Sequence, residues 1–169
     1  MLGVYENFPD KVQMATFFVS LVSHKRLQQA LTEAFHRLNA ENLVLEDIGN
    51  PSIPQCKVVF ELGIAEGQTF SFLDDKETEH VLRIIKERPF PTMDFLCAIR
   101  YYRAPDGKMR PLRFDYYLFR FLFGKDLIEL RVFHERGSMH VAPGELAAFL
   151  GDRVNRLFPK RVLKAVEAS

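Results

Sequence analysis

The stretch from Met93 to Glu135 reads MDFLCAIRYYRAPDGKMRPLRFDYYLFRFLFGKDLIELRVFHE. It holds three runs rich in aromatic and branched residues: Met93 to Ala104, Leu112 to Phe123 and Leu127 to Glu135. Such residues fit a pleated, half-buried surface, so each run reads as a β-strand. Pro105-Asp106-Gly107 separates the first pair. Proline presets the first turn position, and glycine accepts the positive φ that closes it. Gly124-Lys125 separates the second pair. Connections this short make the three strands antiparallel.

Turn length then sets register. A two-residue loop at Gly124-Lys125 pairs Phe123 with Asp126. It puts Arg120 opposite Glu129, Tyr117 opposite Val132 and Asp115 opposite His134. A three-residue loop at Pro105-Asp106-Gly107 pairs Ala104 with Lys108. It puts Phe95 opposite Tyr117, Cys97 opposite Asp115 and Ile99 opposite Arg113. One face of the resulting sheet carries Phe95, Tyr117, Phe119, Phe121, Ile128, Leu130 and Val132, the pattern of a core face.

At one end that face turns polar, in a row of Cys97, Asp115 and His134, with Arg113 and Arg136 in the next row. Cross-strand side chains lie about 5 Å apart, within reach of one another. A carboxylate beside an imidazole fixes its tautomer and raises its basicity, and a cysteine nearby is a nucleophile in waiting. Cys97, Asp115 and His134 are therefore the catalytic candidates, and Arg113 and Arg136 the candidates for holding a carboxylate or phosphate. The plainer reading is a hydrogen-bonded Asp115–His134 pair at the rim of the sheet, neutralised by Arg113, with Cys97 as a small core hydrophobe.

The opposite face mixes Leu96, Phe114, Tyr116, Leu118 and Phe133 with charged residues, including an expected Arg120–Glu129 ion pair. It is too apolar for a bare solvent face and too charged for a core. That mixture marks a protein contact, so these five residues are the interface candidates for a homodimer or a protein partner.

Working outward, Met14 to Val22 reads as a strand and Ser23 as the cap of a helix over His24 to Asn39, with Leu27, Leu31, Ala34, Phe35 and Leu38 on one stripe. Leu43 to Ile48 reads as a short strand, and the Gly49 to Pro54 segment as a loop. Lys57 to Ile64 and Gln68 to Leu73 form a hairpin around Glu66-Gly67. Asp74 or Asp75 caps a second helix that ends at Pro89. Pro143 starts a third helix carrying Leu146, Phe149, Leu150, Val154, Leu157 and Phe158, and Arg161 to Glu167 adds a short helical tail. The order is β-α-βββ-α-βββ-α. It implies one α+β domain over residues 1–169, a curved antiparallel sheet with about three helices on one face, and admits a duplicated αβββ unit.

Composition limits the function. The net charge of +1 gives no global field for nucleic acid or an acidic substrate. The two cysteines form no CxxC, and His134-Glu135 with His140 lacks the HExxH spacing, so no metal is expected. There is no phosphate-binding glycine loop and no GxSxG, so no cofactor is expected either. No apolar run approaches the roughly 20 residues of a membrane helix, and the start lacks the features of a secretory signal, which together point to a cytoplasmic protein. The leading expectation is a non-enzymatic binding or assembly protein that dimerises or docks a partner through its sheet. The alternatives are a small-molecule site or enzyme at Cys97, Asp115 and His134, and RNA binding by the hairpin from Arg100 to Arg113, where arginines interleave with tyrosines.

Overall fold

A computed structural model describes residues 2–49, 56–103 and 110–166. Among them the strands are β1 (Gly3–Val4), β2 (Met14–Ser20), β3 (Leu43–Val44), β4 (Lys57–Glu66), β5 (Thr69–Phe72), β6 (Thr92–Arg103), β7 (Arg110–Phe123), β8 (Ile128–Gly137) and β9 (Leu163–Ala165). The helices are α1 (His24–Leu38), α2 (Asp75–Glu87) and α3 (Pro143–Asn155). All nine strands join one open sheet in the order β1-β5-β4-β6-β7-β8-β2-β9, with β3 also on β4. Every pairing is antiparallel. This is the expected α+β class. The two αβββ runs differ in topology. β7 lies between β6 and β8, whereas β3 and β5 share the edge of β4 that β6 leaves open.

Local chemistry starts the helices where expected. Ser23 Oγ accepts from Arg26 N at 3.2 Å, and Asp74 Oδ1 accepts from Glu77 N at 2.8 Å. The α1 stripe of Leu27, Leu31, Ala34, Phe35 and Leu38 is buried throughout. It packs, with α2 and α3, on the sheet face that carries Phe95, Phe119, Phe121, Leu130 and Val132. Phenylalanines carry much of this core. Phe35 meets Phe95 edge-on at 4.9 Å, and Phe60 stacks on Phe149 at 5.8 Å. Each such ring contributes about 1.5–3 kcal/mol by burial.

Up to the bulges near the ends of these strands, the register differs from expectation by two residues. The β7–β8 loop has four residues, closed by Gly124 N donating to Leu127 O at 3.0 Å, so Phe123 pairs with Ile128. Across β6 and β7, Phe95 pairs with Phe119 and Ile99 with Asp115. The turn proposed at Pro105-Asp106-Gly107 lies outside the described residues. A shift of two preserves which face each side chain takes, because strand side chains alternate with period two. It changes the partners. The expected Arg120–Glu129 ion pair is replaced by Arg120–Asp94 at 2.7 Å and Arg131–Glu129 at 2.8 Å.

Three further expectations are corrected. The helical tail is strand β9: Asn155 Oδ1, at the end of α3, accepts from Val162 N and Leu163 N and turns the chain onto the free edge of β2. The strand at Leu43 stops at Val44, and Leu45–Asp47 form a 3-10 turn whose Asp47 Oδ2 accepts from Val44 N at 3.0 Å. The N-terminal segment, given no element, supplies β1 and lays Tyr5 and Phe8 across the sheet face opposite the helices, against Leu96 and Phe70. Among the described residues no helix is long and apolar enough to cross a membrane.

Candidate functional site

Asp115 is on the helix-side face near the end of the sheet and is fully buried. Its carboxylate accepts four hydrogen bonds. Oδ2 takes Tyr101 Oη at 2.6 Å and His140 N at 3.1 Å, and Oδ1 takes His134 Nε2 at 2.8 Å and Met139 N at 2.6 Å. Burial pushes its pKa up, but these hydrogen bonds outweigh burial and hold it below the usual carboxylate value. Tyr117 Oη donates to Val141 O at 2.5 Å. Burial and the nearby Asp115 raise the Tyr101 and Tyr117 phenols far above their ordinary value. The connection from β8 to α3 is thereby tied down at Met139, His140 and Val141. Its backbone carries two left-handed residues, Gly137 at φ 116° and Met139 at φ 53°.

The structure thus brings Asp115 and His134 together, as the sequence suggested. Cys97 shares their face, paired with Tyr117 and Leu62, but is wholly buried. Burial, then the Asp115 charge, pushes its thiol well above the ordinary value, so it is not poised as a thiolate. Tyr101 and the Met139 and His140 amides were missed. Their role depends on the register and on the path of the connection, neither of which a strand pattern contains.

The two arginines do not join this cluster. A bulge in β8 shifts the register between Tyr116 and Tyr117, so Tyr117 faces His134 while Tyr116 faces Arg136. Arg136 therefore passes to the outer face, 4.4 Å above the Tyr116 ring. Arg113 is exposed and donates to Ser138 Oγ at 2.9 Å, rather than neutralising Asp115.

The outer face has its own order. Phe133, Leu118 and Leu96 make one row, Arg136, Tyr116 and Ala98 the next, and then Phe114 with Arg100. Leu96, an interface candidate, is buried under Tyr5 and Phe8 and is not open to a partner. Tyr116 and Leu118 are half-buried against the same cluster, and Phe133 is half-buried. Phe114 remains 44% exposed. Arg120 fixes the N-terminal segment, bridging Asp94 and lying 4.8 Å from the centre of the Phe8 ring, while Tyr5 donates to Asp94. Burial and Asp94 push the Tyr5 phenol up to about 12.

Beyond that segment the outer face opens into a cleft of about 520 Å³, lined by Arg100, Tyr102, Arg113, Phe114, Arg136 and the Gly137-Ser138 turn. Arg100 is matched by Glu61 at 2.7 Å. Among the described residues no salt bridge engages Arg113 or Arg136. Sequence reading had the arginines but not their meeting with Tyr102, Phe114 and Ser138, which depends on the bulge.

Among the described residues, one set of side chains has metal-ligand chemistry. Oxygens of Glu66 and Glu77 and a nitrogen of His80 lie within 4.8 Å of one another. Lys76 and Arg83 line the same surface depression, and His80 is exposed, so the group reads as a charged surface cluster. No protein-family model, curated protein or solved structure matches the chain.

Proposed function

We propose that this is a non-enzymatic binding protein whose working surface is the outer face of the sheet, at the cleft between Arg100, Arg113 and Arg136. The observation that carries this reading is the meeting of three guanidinium groups with the exposed Phe114 ring around one open space. Exposed apolar surface rimmed by charge is characteristic of contact sites, and Arg113 and Arg136, which no salt bridge among the described residues engages, select a partner that bears negative charge. The N-terminal segment confines docking to this end by covering Leu96. The geometry favours a structural role for the Asp115–His134 pair. Its carboxylate is saturated by protein donors, and Cys97 is sealed beside it.

The test is thermal unfolding with a panel of anions: tripolyphosphate, hexaglutamate and a short oligonucleotide. A ligand that binds only the folded state raises Tm by mass action. At least one anion should raise the Tm of the wild-type protein and not that of the R113E/R136E variant. If no anion does so, or if the shift survives both charge reversals, the proposal fails.

A further inference from the structure

We infer that the cleft takes a nucleotide unit, with its base on the Phe114 and Tyr102 rings and its phosphate held by Arg113 and Arg136. This rests on the binding reading above and names the chemistry of the ligand. Two different kinds of group line one space. A bare inorganic anion would use the guanidinium groups and leave the rings idle, while an acidic peptide side chain offers no flat surface to stack. A nucleotide uses both, because every base has a π-face and every phosphate matches the planar fork of arginine.

The geometry supports each half. Phe114 is 44% exposed and is held by edge-on packing against Tyr116 at 5.0 Å, so an aromatic ring is fixed at the surface of a strand. Such rings between basic residues are the platforms on which unpaired bases stack. Arg136 is steadied over the Tyr116 ring and Arg113 by Ser138, neutral partners, and among the described residues no carboxylate takes up either charge. Arg100, already matched by Glu61, closes the side of the cleft as a positioned wall. The volume of about 520 Å³ falls among the clefts that hold single small ligands, on the order of 300–1,000 Å³. Free nucleotides and single-stranded RNA share this chemistry, and the experiment separates them.

The experiment is calorimetric titration of the full chain with AMP, adenosine, inorganic phosphate, hexa-adenylate and hexaglutamate at fixed salt. AMP should bind at least tenfold more tightly than adenosine or phosphate. Phe114→Ala and the R113E/R136E pair should each weaken it tenfold or more, and Phe114→Trp should restore binding lost in Phe114→Ala. Both sites are exposed, and circular dichroism checks that the fold survives. Hexa-adenylate tighter than AMP by tenfold, with affinity falling steeply as salt rises, assigns the source to a single strand. Equal affinities assign it to free nucleotide. Arginine-dependent binding of hexaglutamate with no nucleotide binding overturns this inference and leaves the binding reading standing. Nucleotide binding that ignores Phe114→Ala also overturns it, and no binding of any anion overturns both.

Discussion

Asp115 Oδ1 and His134 Nε2 meet at 2.8 Å, although neither residue is the other's cross-strand partner. Tyr117 faces His134, and Gly137 faces Asp115. The bulge that offsets them also sends Arg136 to the outer face. One local irregularity in β8 therefore shapes both the buried anchor and the cleft, and the connection after it is tied to Asp115 from within while lining the cleft from without.

Gly137 is the tightest point of that arrangement. A Cβ there would meet Asp115 Oδ1 and the Phe114 carbonyl oxygen, with Asp115 Cα at 2.8 Å, and φ is 116°. Gly137→Ala should cost about 2 kcal/mol or more through strain and displacement of the anchor. Met139→Gly, at φ 53° with a partly exposed side chain, should stay within about 1 kcal/mol of wild type. Urea unfolding of both variants checks the contrast. Equal losses would show that the turn is not held where Asp115 places it.

Asp115→Asn keeps the shape but places an amide N–H₂ among donors. Breaking a buried, charge-assisted network should cost on the order of 3 kcal/mol. The sign with pH follows from the lowered pKa. The carboxylate is favoured in the fold, so its contribution is full above the unfolded value, 3.8, and is lost as pH falls through the lower folded value. Wild-type stability should therefore drop on acidification below about pH 4 more steeply than that of Asp115→Asn. Parallel acid curves for the two proteins would refute this account.

How much of this was legible in the sequence follows from what period-two alternation contains. Alternation put Phe95, Phe119 and Val132 on the core face, and a two-residue slip left that intact. It could not place partners, because Leu127 looks like strand while it belongs to the loop. Nor could it reveal the bulge, so Asp115 and His134 were found but Arg136 was put on the wrong side. Tyr5 and Phe8 belong to a stretch broken by Asn7, Pro9 and Asp10, with no helical or strand period, and only tertiary packing gives them a place. Glu66 and His80 meet because the end of β4 lies beside the N-terminal half of α2.

The N-terminal segment sets how much of the outer face is free. Phe8 is buried on Leu96 and under the Arg120 guanidinium. Phe8→Ala should destabilise by about 3 kcal/mol, at the low end for a buried phenylalanine because the site is near the surface. It should also uncover Leu96 and Leu118 and increase binding of a hydrophobic dye by the folded protein. Unchanged dye binding would mean that the segment does not shield this face.

Glu77 gives a second, oppositely signed pH dependence. Burial first, and then the Glu66 carboxylate beside it, push its pKa from 4.5 up to about 7. A raised acid is favoured in its protonated form in the fold, so the folded protein binds more protons than the unfolded chain between those two values. Its contribution is full below pH 4.5 and is lost as pH rises through about 7. Glu77→Gln removes the charge and keeps the shape, so it should match wild type near pH 5 and exceed it at pH 8. The gain is at most about 1 kcal/mol, because the site is partly open to solvent and screened. Urea unfolding at the two pH values provides the comparison. A difference between the proteins that does not change with pH would place the repulsion elsewhere than between Glu66 and Glu77.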